Sequence, residues 1–509
     1  MRLTFMAGVA TVVSLSGVAL VPSMMQAQPG GGVAPACEID QNSPKELTLL
    51  SLKLQTARSA TAPDARKKVL REIMKELDTK PERFAKNPAG YNLSLVQALT
   101  IWGVEPGLAD APARSELGFV TNPTASYDII ANMDVAYKAI VAALPVCTAD
   151  IAAMRMNEVW LAATKAALDA SNSGKLDSAE YFAKRSMMMS ATNPYPHYVL
   201  ASVANARKDR ANAIMHWKHV VKYAADDTTY RDLKSSSMYY AAMSQLEEAQ
   251  DKTGDEQKAV AREAADGFKT MLATNPDNPD APNLLNAWAD ALTMAKDTAL
   301  IPTVYTPLLT QATATDIALT TGGVIATRAN KSEDALKLFQ AAAKVNPFNR
   351  DALRNVAAAH YGKDQFAMMF DPTRKLVEID PNNYDGWMLF AYAAQGLAKA
   401  AQTAKKPVEV KAWTDSLVKY QTFAEALPVK VDITSFDRRK DMATLVITLE
   451  QVAPAVGQYP VTIEFLDIAG AVVSTVTEAS GPIKKGETKT VTLKATGAGI
   501  MGYRYKALK

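Results

Sequence analysis

Residues 335–347 read Ala335-Leu336-Lys337-Leu338-Phe339-Gln340-Ala341-Ala342-Ala343-Lys344-Val345-Asn346-Pro347, and 34 residues beyond Pro347 stands another proline, Pro381. Ala335, Phe339, Ala342 and Pro347 follow one another at spacings of four, three and five. That pattern predicts one helix of a helical hairpin. The small residues let a neighbouring helix approach, the aromatic fills the gap between them, and proline stops the helix. A 34-residue period belongs to stacked helix–turn–helix repeats, which bury their core between neighbours.

The same register extends in both directions. Ala167, Ala170, Gly174, Ala179 and Ala183 recur 34 residues later as Ala201, Ala204, Lys208, Ala213 and Trp217. Hairpin turns are therefore expected near Gly174 and Lys208. A third pair spans Tyr230–Gln250 and Glu256–Ala273, lengthened around Asp251–Gly254, with Ala264, Phe268, Met271 and Pro276 in its second helix. Asp280–Ala295, the pair containing Gly323–Ala326 and Ala335–Pro347, and a repeat ending at Pro381 come next. The last pair opens with Trp387 and closes with Tyr420, Phe423 and Pro428.

These residues resemble the tetratricopeptide repeat (TPR) family. Its pattern places small residues at positions 8, 11, 20 and 27, aromatics at 4 and 24, and proline at 32. Gly323, Ala326, Ala335, Phe339, Ala342 and Pro347 match six of these positions, and Trp387 and Ala391 fit positions 4 and 8 of the last repeat. Ala191 and Ala225 depart from the pattern, standing where proline is expected, and insertions fall near Asp251 and Ala401. The expected class is mainly α: a helical-hairpin solenoid over residues 160–428, preceded by a helical region at 43–159 that could hold degenerate repeats. In that region Ser43–Ala60, Ala62–Leu77, Asn92–Trp102 and Ser126–Leu144 carry helical periodicity around a Pro/Gly-rich loop, Gly103–Pro123. Ser43-Pro44-Lys45-Glu46 reads as an N-cap serine, a proline at N1 and a glutamate at N3.

At Val429 the period changes from helical to alternating. Six segments rich in Val, Ile and Thr (Val429–Phe436, Met442–Glu450, Val461–Asp467, Ala471–Thr477, Glu487–Ala495 and Gly502–Ala507) predict a small immunoglobulin-like β-sandwich over 429–509. Phe465-Leu466-Asp467 before the Ala469-Gly470 turn resembles the FxLYD type of such domains, without its tyrosine. The sandwich is expected to cap the solenoid end or to dock a second partner.

The chain has 509 residues, with 56 Lys and Arg against 53 Asp and Glu. That balance gives no electrostatic footprint for nucleic acid. Met1-Arg2 and the apolar stretch Leu3–Val21 predict an export signal over residues 1–27, cleaved after Ala27, then a flexible segment at 28–42. The destination would be a bacterial periplasm or cell envelope. In an exported chain the two cysteines, Cys37 and Cys147, read as a disulfide, with unpaired buried thiols as the alternative. It would close a loop of about 110 residues, worth about 3–5 kcal/mol by chain entropy.

Motifs for chemistry are few. Gly497-Ala498-Gly499-Ile500-Met501-Gly502 matches G-x-G-x-x-G, but only seven residues follow it, too few for the helix a dinucleotide site needs. His216 and His219, three apart, could share a metal, but read as solvated residues flanking Trp217; His197 and His360 read as packing residues. No catalytic residue, cofactor, metal or small-molecule substrate is predicted. A protein or peptide partner is.

In the TPR family the concave groove is lined by positions 2, 5, 9, 12 and 13 of each first helix. The resemblance places Tyr195, Tyr198, Asn205, Asp232, Tyr239 and Tyr240 there, then Asp280, Asn283, Asp290, Arg328, Arg354, Tyr361, Asp385 and Tyr392. Tyrosine and arginine suit binding hot spots. The family's carboxylate clamp needs Lys at 5 and Asn at 9 and 12. Here Tyr198, Ser202 and Asn205, then Asp232, Ser236 and Tyr239, occupy those places. A scaffold or adaptor holding an extended peptide or a partner's helix is the expected function. Two alternatives are a cell-wall or carbohydrate binder, using Tyr459, Tyr503 and Tyr505 of the sandwich, and an enzyme with a site in Pro106–Asn122.

Overall fold

The computed structural model describes residues 37–39, 44–275, 278 and 280–509. The leader read over 1–27, most of the 28–42 segment, Ser43 and Pro276 lie outside them. The chain divides into two compact units, one up to Ser244 and one from Gln245.

The first unit is helical. It contains α1 (Lys45–Ser59), α2 (Pro63–Thr79), α3 (Pro88–Gly103), the single turn α4 (Arg114–Leu117), α5 (Ile129–Ala143), α6 (Thr148–Met154), α7 (Glu158–Asn172), α8 (Leu176–Met189), α9 (Pro194–Ala206), α10 (Arg210–Ala224) and the start of α11 (Arg231–Asp251). Pro44 sits at the N-cap in extended conformation, φ −62° and ψ 154°, so α1 begins one residue later than the Ser43-Pro44 reading. Asn87, Asp128, Asn157 and Asn193 cap α3, α5, α7 and α9 with their side chains. α1 pairs with α2, and α3 with α5 across the 104–128 insertion. That insertion is what hides the hairpin register of the N-terminal region. Cys37 is bonded to Cys147, as expected from the even pair.

In the second unit come α12 (Gly254–Thr274), α13 (Ala281–Met294), α14 (Pro302–Tyr305), α15 (Asp316–Arg328), α16 (Ser332–Val345), α17 (Arg350–Tyr361), α18 (Phe370–Ile379), α19 (Tyr384–Thr403) and α20 (Pro407–Glu425). The decisive stretch is α16: Ala335, Phe339 and Ala342 are all buried. The helix following α13 is broken instead of continuous, with Pro302 opening α14 and Pro307 in the next 3-10 turn.

One backbone device repeats at the hairpin turns. Gly174, Lys208, Lys296, Asn330, Asp364 and Lys405 all have φ between 54° and 69°. In each case the next amide donates to a carbonyl five residues back: Lys175 to Ala170, Asp209 to Ala204, Asp297 to Leu292, Lys331 to Ala326, Gln365 to His360 and Lys406 to Ala401. This is the six-to-one bond of a Schellman stop, which satisfies a helix-end carbonyl. The left-handed residues are 34 apart from Gly174 to Lys208 and again from Lys296 through Asn330 to Asp364. The step to Lys405 is 41, so the insertion near Ala401 adds two helical turns to α19.

The alternating segment folds as β1 (Val429–Arg438), β2 (Met442–Gln451), β3 (Gly457–Leu466), β4 (Val472–Ile483), β5 (Thr488–Thr496) and β6 (Gly502–Tyr505). Two antiparallel sheets, β1-β2-β5 and β4-β3-β6, enclose Val431, Leu445, Ile447, Val461, Ile463, Phe465 and Leu493. The glycines at 497 and 499 form the turn into β6, both with positive φ.

The sandwich does not sit as an end cap. It lies against the turns that open α15, α17 and α19. Arg438 of β1 pairs with Asp316 at 2.7 Å, and Asn346 donates to the Met501 carbonyl at 2.8 Å. Asn382 donates to the carbonyls of Val429 and Leu508, both at 3.1 Å, and Tyr505 donates to Asp380. Asp380 is also bonded by Arg350 at 2.5 Å. Gly502 lets β6 approach Phe348, because a Cβ there would overlap the Phe348 side chain.

Candidate functional site

The residues expected to line a groove fall on the first helices of successive hairpins, and several meet across adjacent helices. In the first unit Tyr198 of α9 meets the edge of Trp217 of α10, centroids 5.2 Å apart. Tyr240 of α11 stacks on Trp217, also at 5.2 Å, and Tyr239 meets Tyr240 edge-on at 5.5 Å. Trp217 was expected only as a helix-packing residue. It is the plank that joins the two tyrosine-bearing helices, a role that spacing alone does not assign. Tyr195 packs against Tyr230, while Asn205 and Asp232 are exposed.

In the second unit Asp290 of α13 pairs with Arg328 of α15, and Arg354 of α17 with Asp385 of α19 at 3.6 Å. Tyr361 of α17 and Tyr392 of α19 lie with ring centroids 5.6 Å apart. Asp280 and Asn283 are exposed at the start of α13. Four charged members, Asp290, Arg328, Arg354 and Asp385, thus neutralise one another in two pairs across neighbouring helices. Exposed ion pairs of this kind contribute little stability. Three of the six candidate tyrosines keep their surface, Tyr240 at 43% exposed, Tyr361 at 46% and Tyr392 at 37%, while Tyr195, Tyr198 and Tyr239 are half-buried. A rigid aromatic body with a polar tip offers large contact area at small entropic cost.

The places named for the alternatives are otherwise engaged. Tyr459, Tyr503 and Tyr505 of the sandwich are buried, and Tyr459 donates to Gln451 at 2.7 Å. They provide no exposed platform for a sugar. In the 106–122 loop, Asp78 of α2 accepts the amides of Val120 and Thr121 and binds Arg114. Burial opposes the Asp78 charge, but those amides and Arg114 outweigh it and hold its carboxyl below the usual range. Glu116 accepts the Ala113 amide. These acids fasten the loop down.

The histidines differ from the sequence reading. His360 is a packing residue as expected, bonded to Gln365 at 2.8 Å. His216 and His219, however, are not solvated flanks of Trp217. Together with His197 they form one cluster of half-buried and buried rings between α9 and α10. The signal was present: His197 and His219 each stand 11 residues from the turn residue Lys208, which puts them level in an antiparallel hairpin. Burial lowers the pKa of His197, and burial with the neighbouring His197, His219 and Lys184 brings His216 down to about 4.

The fold and this face define a TPR-like helical-hairpin repeat protein that carries a β-sandwich. No protein-family model matches the chain, and no curated protein matches it. Among solved structures it is similar to YrrB, described as a TPR protein with an unusual peptide-binding site, at 15% identity over 41% of this chain and 94% of that one, TM-score 0.28. It is similar to the C-terminal part of a TPR repeat-containing protein from Cytophaga hutchinsonii at 11% identity, over 51% and 95% of the two chains, TM-score 0.32. The TPR2AB domain of yeast Sti1 in complex with pHSP90 matches at 14% identity over 52% and 98%, TM-score 0.22. The overlap is partial at these scores, and the class rests on the helix pairs themselves.

Proposed function

We propose that this chain is an exported, non-catalytic scaffold that holds a protein or peptide partner against the first-helix faces of its repeats. One observation carries the reading: tyrosines on consecutive first helices, Tyr361 and Tyr392, stand side by side and exposed. An extended peptide or a partner's amphipathic helix laid across such helices meets aromatic surface at each step. The carboxylate clamp of the family has no counterpart at Tyr198, Ser202 and Asn205, so recognition would rest on aromatic contact instead of a terminal carboxylate. Export is inferred from the leader at 1–27, with a destination in a bacterial periplasm or envelope. The Cys37–Cys147 bond fits an oxidising compartment.

Capture of partners from the native envelope fraction tests the binding face. Tyr239→Ala combined with Tyr240→Ala should reduce capture by the full chain, and unchanged capture would move the site elsewhere. Mass spectrometry of the mature protein tests export, with Gln28 expected as the first residue. A retained leader would refute the cleavage.

A further inference from the structure

His197 lies on α9 and is only 3% exposed, while His216 and His219 come from α10. One ring nitrogen from each of the three lies within 4.8 Å of the others. The His197 Nε2 is 2.9 Å from the Ala191 carbonyl oxygen, and a carbonyl can only accept. Nε2 therefore carries the proton, and His197 Nδ1 presents a lone pair. That Nδ1 stands 3.0 Å from His216 Nδ1. The His219 Nδ1 is buried with no hydrogen-bond partner. A backbone carbonyl that fixes the tautomer of one imidazole, turning its free nitrogen toward two more, is the support a metal-binding histidine usually has. A buried ring nitrogen left unsatisfied costs stability unless something else binds it.

We propose that His197, His216 and His219 form a three-imidazole site for a late first-row divalent ion of the Zn2+ or Cu2+ type. Imidazole nitrogens bind such ions at about 2.0–2.1 Å, so two ligands of a tetrahedral site stand about 3.3 Å apart. The 3.0 Å between the His197 and His216 nitrogens is already near that spacing. Oxygen-seeking Ca2+ and Mg2+ are excluded by the donor set, which holds no carboxylate. Water or a small anion would complete the coordination. The Tyr223 ring, with centroids 5.2 Å from His197 and 5.5 Å from His219, walls one side. Lys184 of α8 is the cationic neighbour of His216 and is itself paired with Glu180. The ion would tie the two helices of one hairpin together beside Trp217, so its occupancy would stiffen the support of Tyr198 and Tyr240.

The test uses untagged full-length protein stripped with a chelator and titrated with ZnCl2 or CuCl2 by calorimetry. One ion per chain is expected, with a rise in Tm of about 5 °C at a hundredfold excess over Kd. His216→Gln and His219→Gln should each weaken binding by about 10-fold or more, and the double variant should abolish it. Co2+ should give the visible d–d absorption of a four-coordinate site in the wild type, lost on adding Zn2+; this reading does not depend on any variant folding. Absence of saturable binding, absence of that absorption, or binding undiminished in a folded double variant would overturn the proposal.

Discussion

Gly323 of α15 lies directly against the ring of Phe339 of α16, so close that a Cβ at position 323 would overlap the aromatic carbons. The aromatic residue fills the space that the missing side chain leaves, which is the physical content of the small-and-aromatic spacing in the repeat. Phe339→Ala should therefore cost about 3–5 kcal/mol, and Gly323→Ala should destabilise despite alanine's better helix propensity. Denaturant titration of each variant checks both signs. A stabilising Gly323→Ala would mean that the two helices can separate freely.

The Arg350–Asp380 pair, with Tyr505 donating to the same carboxylate, fastens the sandwich to the repeats. Asp380 is fully buried, so removing it leaves Arg350 with the exposed Asp351 as its acidic partner and takes from the Tyr505 hydroxyl the carboxylate it donates to. Asp380→Ala should destabilise the second unit by about 3–5 kcal/mol. Arg350→Met with Asp380→Leu should recover part of that loss in thermal unfolding.

Lys208 holds a left-handed φ of 63° at a hairpin turn, in the place Gly174 occupies one repeat earlier. A side chain in that conformation costs about 1 kcal/mol or more relative to glycine. Lys208→Gly should raise stability by about 0.5–1 kcal/mol, and a loss in the denaturation midpoint would contradict this account of the turn.

The depressed pKa values of His197 and His216 carry a sign for stability. The unfolded chain takes up protons near pH 6.5, whereas His216 stays neutral in the folded chain down to about 4. Stability contributed by these neutral rings is present above pH 6.5 and is lost as pH falls through the folded values. The metal-free protein should thus lose Tm as pH falls from about 6.5 toward about 4, a decline that begins before ordinary carboxylates titrate. The decline should be shallower in His216→Gln.

Much of this architecture was legible because local chemistry and packing agree. The period around Phe339 and the turns at Gly174 and Lys208 stand where their residues place them. Six strands form, but β3 begins at Gly457, four residues before the expected Val461, and β4 runs to Ile483, six beyond the expected Thr477. The illegible parts have physical causes. At Ala225, where the family has proline, φ is 42°, a value closed to proline. Residues 104–128 separate α3 from its partner α5, so no fixed period links them. The docking of the sandwich on Asp316, Asn346 and Asp380 is set by contacts between residues more than a hundred positions apart. The meeting of His197 with His216 and His219 is a hairpin relationship, visible only when residues are counted outward from Lys208.

Binding of a peptide at the exposed tyrosines tests the central claim most directly. Peptides selected from a display library on the full chain should bind the wild type saturably in fluorescence anisotropy. Tyr361→Ala combined with Tyr392→Ala should weaken them by about 10-fold or more while leaving Tm near the wild-type value. Failure to select any peptide, or equal affinity for the wild type and the folded double variant, would contradict a scaffold that binds through its first-helix face.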